Sequence, residues 1–177
     1  MSQSPRSPAG NALTELVLEV FRVNGRLLAA GDRMARPAGQ TSARWQVLGA
    51  VDREPRTVSQ IARMMGLTRQ SVQRTADRLH AEGLVAHTDN PAHRRAKLVT
   101  LTARGRRVLD AITQQQIAWA NRLGARIGAA ELGQALRVLQ AFREDLERGD
   151  RHPLAGRRSV HRDGVARPQT RSRGSAR

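Results

Sequence analysis

Apolar residues recur at helical spacing through most of the chain. From Asn11 to about Ala30 they are Leu13, Leu16, Val17, Val20, Phe21, Val23, Leu27 and Leu28, one face of an amphipathic helix. Gly31, Pro37 and Gly39 interrupt the pattern, so the stretch to Gln40 reads as a loop. Thr41 or Ser42 opens a second helix through Trp45, Val47, Leu48 and Val51. It must stop before Pro55, whose ring cannot sit inside a continuing helix. Thr57-Val58-Ser59-Gln60 has capping-box form, two side chains that satisfy each other's orphan backbone donors. Ile61, Ala62 and Met65 give that short helix its apolar face, and Gly66 closes it. Thr68 caps the next helix, where Val72, Ala76 and Leu79 fix one buried stripe before Gly83.

The period then shortens. Leu84 to His87 and Lys97 to Leu101 are β-prone runs around a loop whose Asp89, Asn90 and Pro91 favour a turn. Thr102 caps a long helix bearing Val108, Leu109, Ile112, Trp119, Leu123 and Ile127, and Leu132, Leu136, Leu139, Phe142 and Leu146 mark a last one. Two helices followed by a hairpin are the order of a winged helix-turn-helix. The expected fold is therefore mainly α with a small β-hairpin wing, flanked by terminal helices that form a dimerisation bundle. The segments divide as a disordered lead (1–10), an N-terminal dimerisation helix and loop (11–40), a DNA-binding domain (41–102), C-terminal dimerisation helices (103–148) and a disordered Arg-rich tail (149–177). The tail holds eight arginines against Asp150 and Asp163 and few large apolar residues, too little to offset the entropy of ordering. The terminal helices carry more apolar surface than a small winged domain covers. Periodicity alone leaves open whether a second copy or the same chain buries it.

Charge narrows the partner. Lys+Arg total 31 against 15 Asp+Glu, a formal net charge of +16, and such a surface draws polyanions. No apolar run approaches the roughly 18 residues of a spanning helix, and Met1 to Gly10 lacks an apolar signal core, so no membrane partner is expected. The chain has no cysteine, which removes disulfides, thiolate metal sites and thiol catalysis and points to the cytoplasm. Lys97 is the only lysine, and a GC-rich coding bias accounts for most of the arginine excess.

In the second helix of the pair, Gln70, Gln73, Arg74 and Asp77 point away from the buried stripe, with Thr68, Arg69 and Ser71 at its N-terminal flank. Gln pairs bidentately with adenine, Arg with guanine, and Ser or Thr with a base or a phosphate. Thr68, Arg69, Gln70, Ser71, Gln73 and Arg74 are thus the candidate recognition-helix residues. Arg94 and Arg95 at the hairpin tip suit insertion into a narrow minor groove, with His93 and Lys97 adding phosphate contacts. Arg44, Arg56 and Arg63 are candidate flanking phosphate contacts; such contacts set register rather than sequence choice. The chain shows no nucleophile–base pair, phosphate-cradling glycine loop or paired carboxylates, so no enzyme is expected. His80, His87 and His93 lack metal-ligand spacing, and no metal or cofactor is expected.

Residues 41–110 resemble the MarR (multiple antibiotic resistance regulator) family of bacterial winged-helix transcription factors. The resemblance rests on Thr57 to Ala62, Leu67 to Val72, Leu79 to Val85 and, most specifically, Asn90 to Thr102 ahead of Gly105. With the flanking helices it covers roughly 11–148. It implies a homodimer with interlocked first and last helices, and wings that touch DNA minor grooves. It also implies a small aromatic or phenolic effector that weakens DNA binding, with Trp45, Trp119, Met34, Phe21 and Arg26 as candidate lining residues. His93 stands where the family usually has an Asp that braces a wing arginine. The expected function is a sequence-specific regulator, a repressor acting on a pseudo-palindromic operator of double-stranded DNA. The alternative is a non-specific DNA-binding or DNA-compacting protein driven by net charge, whose affinity would fall steeply with salt.

Overall fold

The computed structural model describes residues 6–151, Arg94 excepted. Helix α1 runs Pro8–Ala35, α2 Ser42–Ala50, α3 Val58–Met65, α4 Arg69–Ala81, α5 Ala103–Ile127 and α6 Ala129–Arg151. The strands are β1 Arg56–Thr57, β2 Val85–Thr88 and β3 Leu98–Leu101, and a 3-10 turn spans Arg36–Ala38. Contacts divide the chain into a unit up to Arg126 and a second from Ile127 onward.

Three boundaries differ from the sequence reading. Residues 8–10, assigned to a disordered lead, form the first turn of α1. There Ser7 accepts a hydrogen bond from the Gly10 amide at 3.1 Å, and Pro8 occupies a position that needs no amide donor. Gly31, expected in a loop, lies buried inside α1. A Cβ on it would meet Ser42 Oγ at 2.6 Å, so the missing side chain serves a close approach of α2 rather than a turn. Asp32 Oδ1 accepts the Ser42 amide at 2.6 Å in the same place. Finally, 149–151, assigned to the tail, complete α6. The rest of the tail, 152–177, and the first five residues of the lead lie outside the described residues.

The capping box is present as read. Thr57 Oγ1 accepts from the Gln60 amide at 3.2 Å, and Gln60 Oε1 accepts from the Thr57 amide at 2.7 Å. Gly66, at φ 62°, closes α3. The sheet has the order β1-β3-β2, all antiparallel. Val85 faces Leu101 and Thr88 faces Leu98, while on the other edge of β3 Arg56 faces Val99 and Thr57 faces Leu98. β1 went unread in the sequence because two residues carry no alternation.

One cluster joins these elements: Leu48, Ile61, Val72, Leu79, Val85, Val99 and Leu109 are all buried in it. Burial of such side chains stabilises by roughly 1.5–3 kcal/mol each. On α1, by contrast, Leu13, Leu18, Phe21, Val23, Leu27 and Leu28 are exposed, as are Leu132, Leu136, Leu139 and Leu146 on α6. Among the described residues no helix is long and apolar enough to cross a membrane.

Candidate nucleic-acid interface

Helix α4 begins where Thr68 Oγ1 accepts the Ser71 amide at 3.2 Å, and its buried stripe is Val72, Ala76 and Leu79. That stripe turns Arg69, Gln70, Gln73, Arg74 and Asp77 outward, with Ser71 half-buried at the edge. The wing is β2, β3 and the stretch between them. Asn90 shapes its tip: Oδ1 accepts from the Ala92 amide at 3.0 Å, and its carbonyl accepts from the His93 amide at 3.1 Å. The Ala96 amide then donates to the His93 carbonyl at 3.0 Å. The tip is thus folded by main-chain turns, and His93, Arg95 and Lys97 are exposed on it. Arg94 lies outside the described residues.

Helix and wing share a cleft of about 330 Å³. It brings together Arg69 and Gln73 of α4, Arg95 and Lys97 of the wing, and Thr57 and Ser59 at the start of α3. Among the described residues, three cationic groups face a single carboxylate, Asp77, across this concavity, the arrangement that draws an anionic polymer. Thr68, Gln70, Ser71, Arg74 and His93 are not among the residues lining it. Gln70 and Arg74 nonetheless extend the exposed face of the same helix.

The three flanking arginines separate. Arg44 forms an ion pair with Glu82 at the C-terminal end of α4, and only 16% of its side chain is exposed. It ties α2 to α4 instead of facing outward. Arg56 is half-buried and bonds Glu54 at 2.6 Å. Arg63, in the last turn of α3, is exposed.

The sequence reading did not single out the polar contacts behind the α4 face. Gln73 Nε2 donates to Asp77 Oδ1 at 2.8 Å, and His87 Nε2 of β2 lies 3.8 Å from the same oxygen. The i, i+4 spacing of Gln73 and Asp77 was the available signal. Elsewhere, α1 and α5 border an open groove of about 890 Å³. Phe21, Arg26 and Trp119, three of the five candidate effector-lining residues, line it. Trp45 packs against the core, and Met34 is half-buried.

Comparison with known proteins places this geometry. The model of the MarR family matches residues 38–96. An uncharacterized protein of Mycobacterium tuberculosis is 43% identical over 136 residues, which cover 77% of this chain and 90% of that protein. Sco5413, a MarR family transcriptional regulator from Streptomyces coelicolor, superposes with a TM-score of 0.65 at 28% identity, over 78% of this chain and 96% of its own. CouR from Rhodococcus jostii RHA1, in a structure bound to p-coumaroyl-CoA, superposes with a TM-score of 0.66 at 27% identity, over 72% of this chain and 90% of that one. The transcriptional repressor CouR bound to a 23-mer DNA duplex shares the fold, with a TM-score of 0.65 at 24% identity over 78% of this chain and 99% of that one. The chain belongs to the MarR family and is a winged-helix transcription regulator.

Proposed function

We propose that the chain binds double-stranded DNA as a homodimer and represses transcription from a pseudo-palindromic operator. Helix α4 lies in the major groove, where Arg69, Gln70, Gln73 and Arg74 meet base edges and Thr68 and Ser71 meet bases or phosphates. The wing reaches the neighbouring minor groove with Arg94 and Arg95, and His93, Lys97 and Arg63 hold phosphates. The observation that carries this reading is the cationic cleft that joins Arg69 and Gln73 to Arg95 and Lys97. The repressor CouR engages a DNA duplex with the same fold.

Exposed Leu13, Phe21 and Leu27 on α1 and Leu132, Leu136 and Leu139 on α6 are the surfaces a second copy covers. Pairing sets two recognition helices about 34 Å apart, one turn of the duplex. A small-molecule effector releases the DNA, seated beside Phe21, Arg26 and Trp119; CouR holds p-coumaroyl-CoA in its own structure. Such release is a coupling free energy between two sites.

Selection from a random duplex library with the purified chain tests the reading. The expected result is one half-site motif, repeated in inverted orientation at fixed spacing. Retention of duplexes without base preference would leave only the charge-driven, non-specific alternative.

A further inference from the structure

The oddity of the α4 face is Asp77. A carboxylate beside a DNA backbone is repelled by every phosphate, and Asp77 stands in the cleft that also holds Arg69, Arg95 and Lys97. Its neighbours give it a purpose. Gln73 Nε2 donates to Asp77 Oδ1 at 2.8 Å. The opposite amide orientation would set two oxygens against each other, so the chemistry of the pair fixes which end of Gln73 points at Asp77. His87, only 19% exposed in its side chain, stands 3.8 Å from the same carboxylate oxygen. The His87 ring packs against that of His80, with centroids 4.8 Å apart, and His80 Nδ1 donates to the Val85 carbonyl at 3.1 Å. Asp77 is therefore backed by side chains from both the helix and the wing strand.

We propose that Asp77 is a positioning residue for base recognition: it takes one of the two amide hydrogens of Gln73 and leaves that side chain one donor and one acceptor for a base edge. This inference rests on the proposed placement of α4 in the major groove. Adenine presents one acceptor, N7, and one donor, N6, which match what Gln73 has left. Guanine presents two acceptors, N7 and O6, and a glutamine with one hydrogen already committed can satisfy only one of them. An unrestrained glutamine serves either purine. Asp77 thus acts against guanine at a distance, through Gln73, without touching the base itself.

The test is a duplex-library selection on wild type, Asp77→Ala, Asp77→Asn, Gln73→Ala and the Gln73→Ala/Asp77→Ala pair. Wild type should prefer adenine at one half-site position. In Asp77→Ala that preference over guanine should fall about tenfold, while affinity for all duplexes rises as a negative charge is lost. Asp77→Asn offers Gln73 either an oxygen or an amide, so the fixed orientation is lost and the preference should fall there too. In the Gln73→Ala background, Asp77→Ala should leave base choice unchanged, because there is no amide left to orient. A merely structural Asp77 would instead lower the melting temperature and weaken all sequences alike. An unaltered motif in Asp77→Ala would overturn the assignment alone. A wild type that selects no motif would overturn the DNA-reading function and this inference with it.

Discussion

Gly105, near the start of α5, lies against the main-chain carbonyl of Leu84 so closely that a Cβ on it would overlap the oxygen. That Cβ would stand 2.9 Å from the carbonyl carbon and 3.2 Å from Leu101 Cδ2. The same carbonyl accepts from the Thr102 amide at 3.1 Å. The junction between the wing and α5 is therefore built on the absence of one methyl group. Gly105→Ala should cost about 1–3 kcal/mol, read as a lower urea midpoint at unchanged slope. A wild-type midpoint would show that the Leu84 backbone yields freely.

Arg44 and Glu82 make a second separable case. Arg44→Ala removes a largely covered side chain and leaves Glu82 unpaired, so stability should fall by roughly 1–2 kcal/mol. The salt dependence of DNA binding should stay as in wild type. Lys97→Ala should do the reverse: unchanged melting, and a log–log salt slope shallower by about one for each protomer. Equal salt slopes in the two variants would contradict this division of labour.

For the wing, Arg94→Ala combined with Arg95→Ala should weaken binding most on operators flanked by A·T-rich sequence, where the minor groove is narrow and its potential most negative. The measurement is affinity across a set of duplexes that differ only in their flanks. The same loss at every flank would argue for phosphate contact in place of groove insertion.

Truncation after Arg151 removes seven arginines and Asp163, a net of +6 from a chain of net +16. Binding to random-sequence DNA should weaken and become less salt-dependent, while the melting temperature holds. A large fall in melting temperature would show that 152–177 contribute to the fold.

Much of this architecture was legible from local chemistry. Thr57 with Gln60, and Thr68 ahead of Val72, Ala76 and Leu79, are short-range signals, and the structure places all of them as read. What escaped depends on partners distant in sequence. Gly31 looks like a loop residue until Ser42 is seen against it. Arg44 looks like a free cation until Glu82, thirty-eight residues on, is found beside it. β1 exists only because β3 offers an open edge to Arg56 and Thr57. In the candidate interface, the outward face of α4 followed from its period, whereas the cleft it shares with Arg95 and Lys97 needed three dimensions.

The central place of β3 has a thermodynamic consequence. Leu98 and Val99, the residues nearest the wing tip, are flanked by Thr88 and His87 on one side and by Thr57 and Arg56 on the other. Both legs of the hairpin are thus immobilised during folding, right up to where they enter the tip. Association with a duplex then has no strand of the hairpin left to order, and the entropic penalty it carries excludes both legs of the wing.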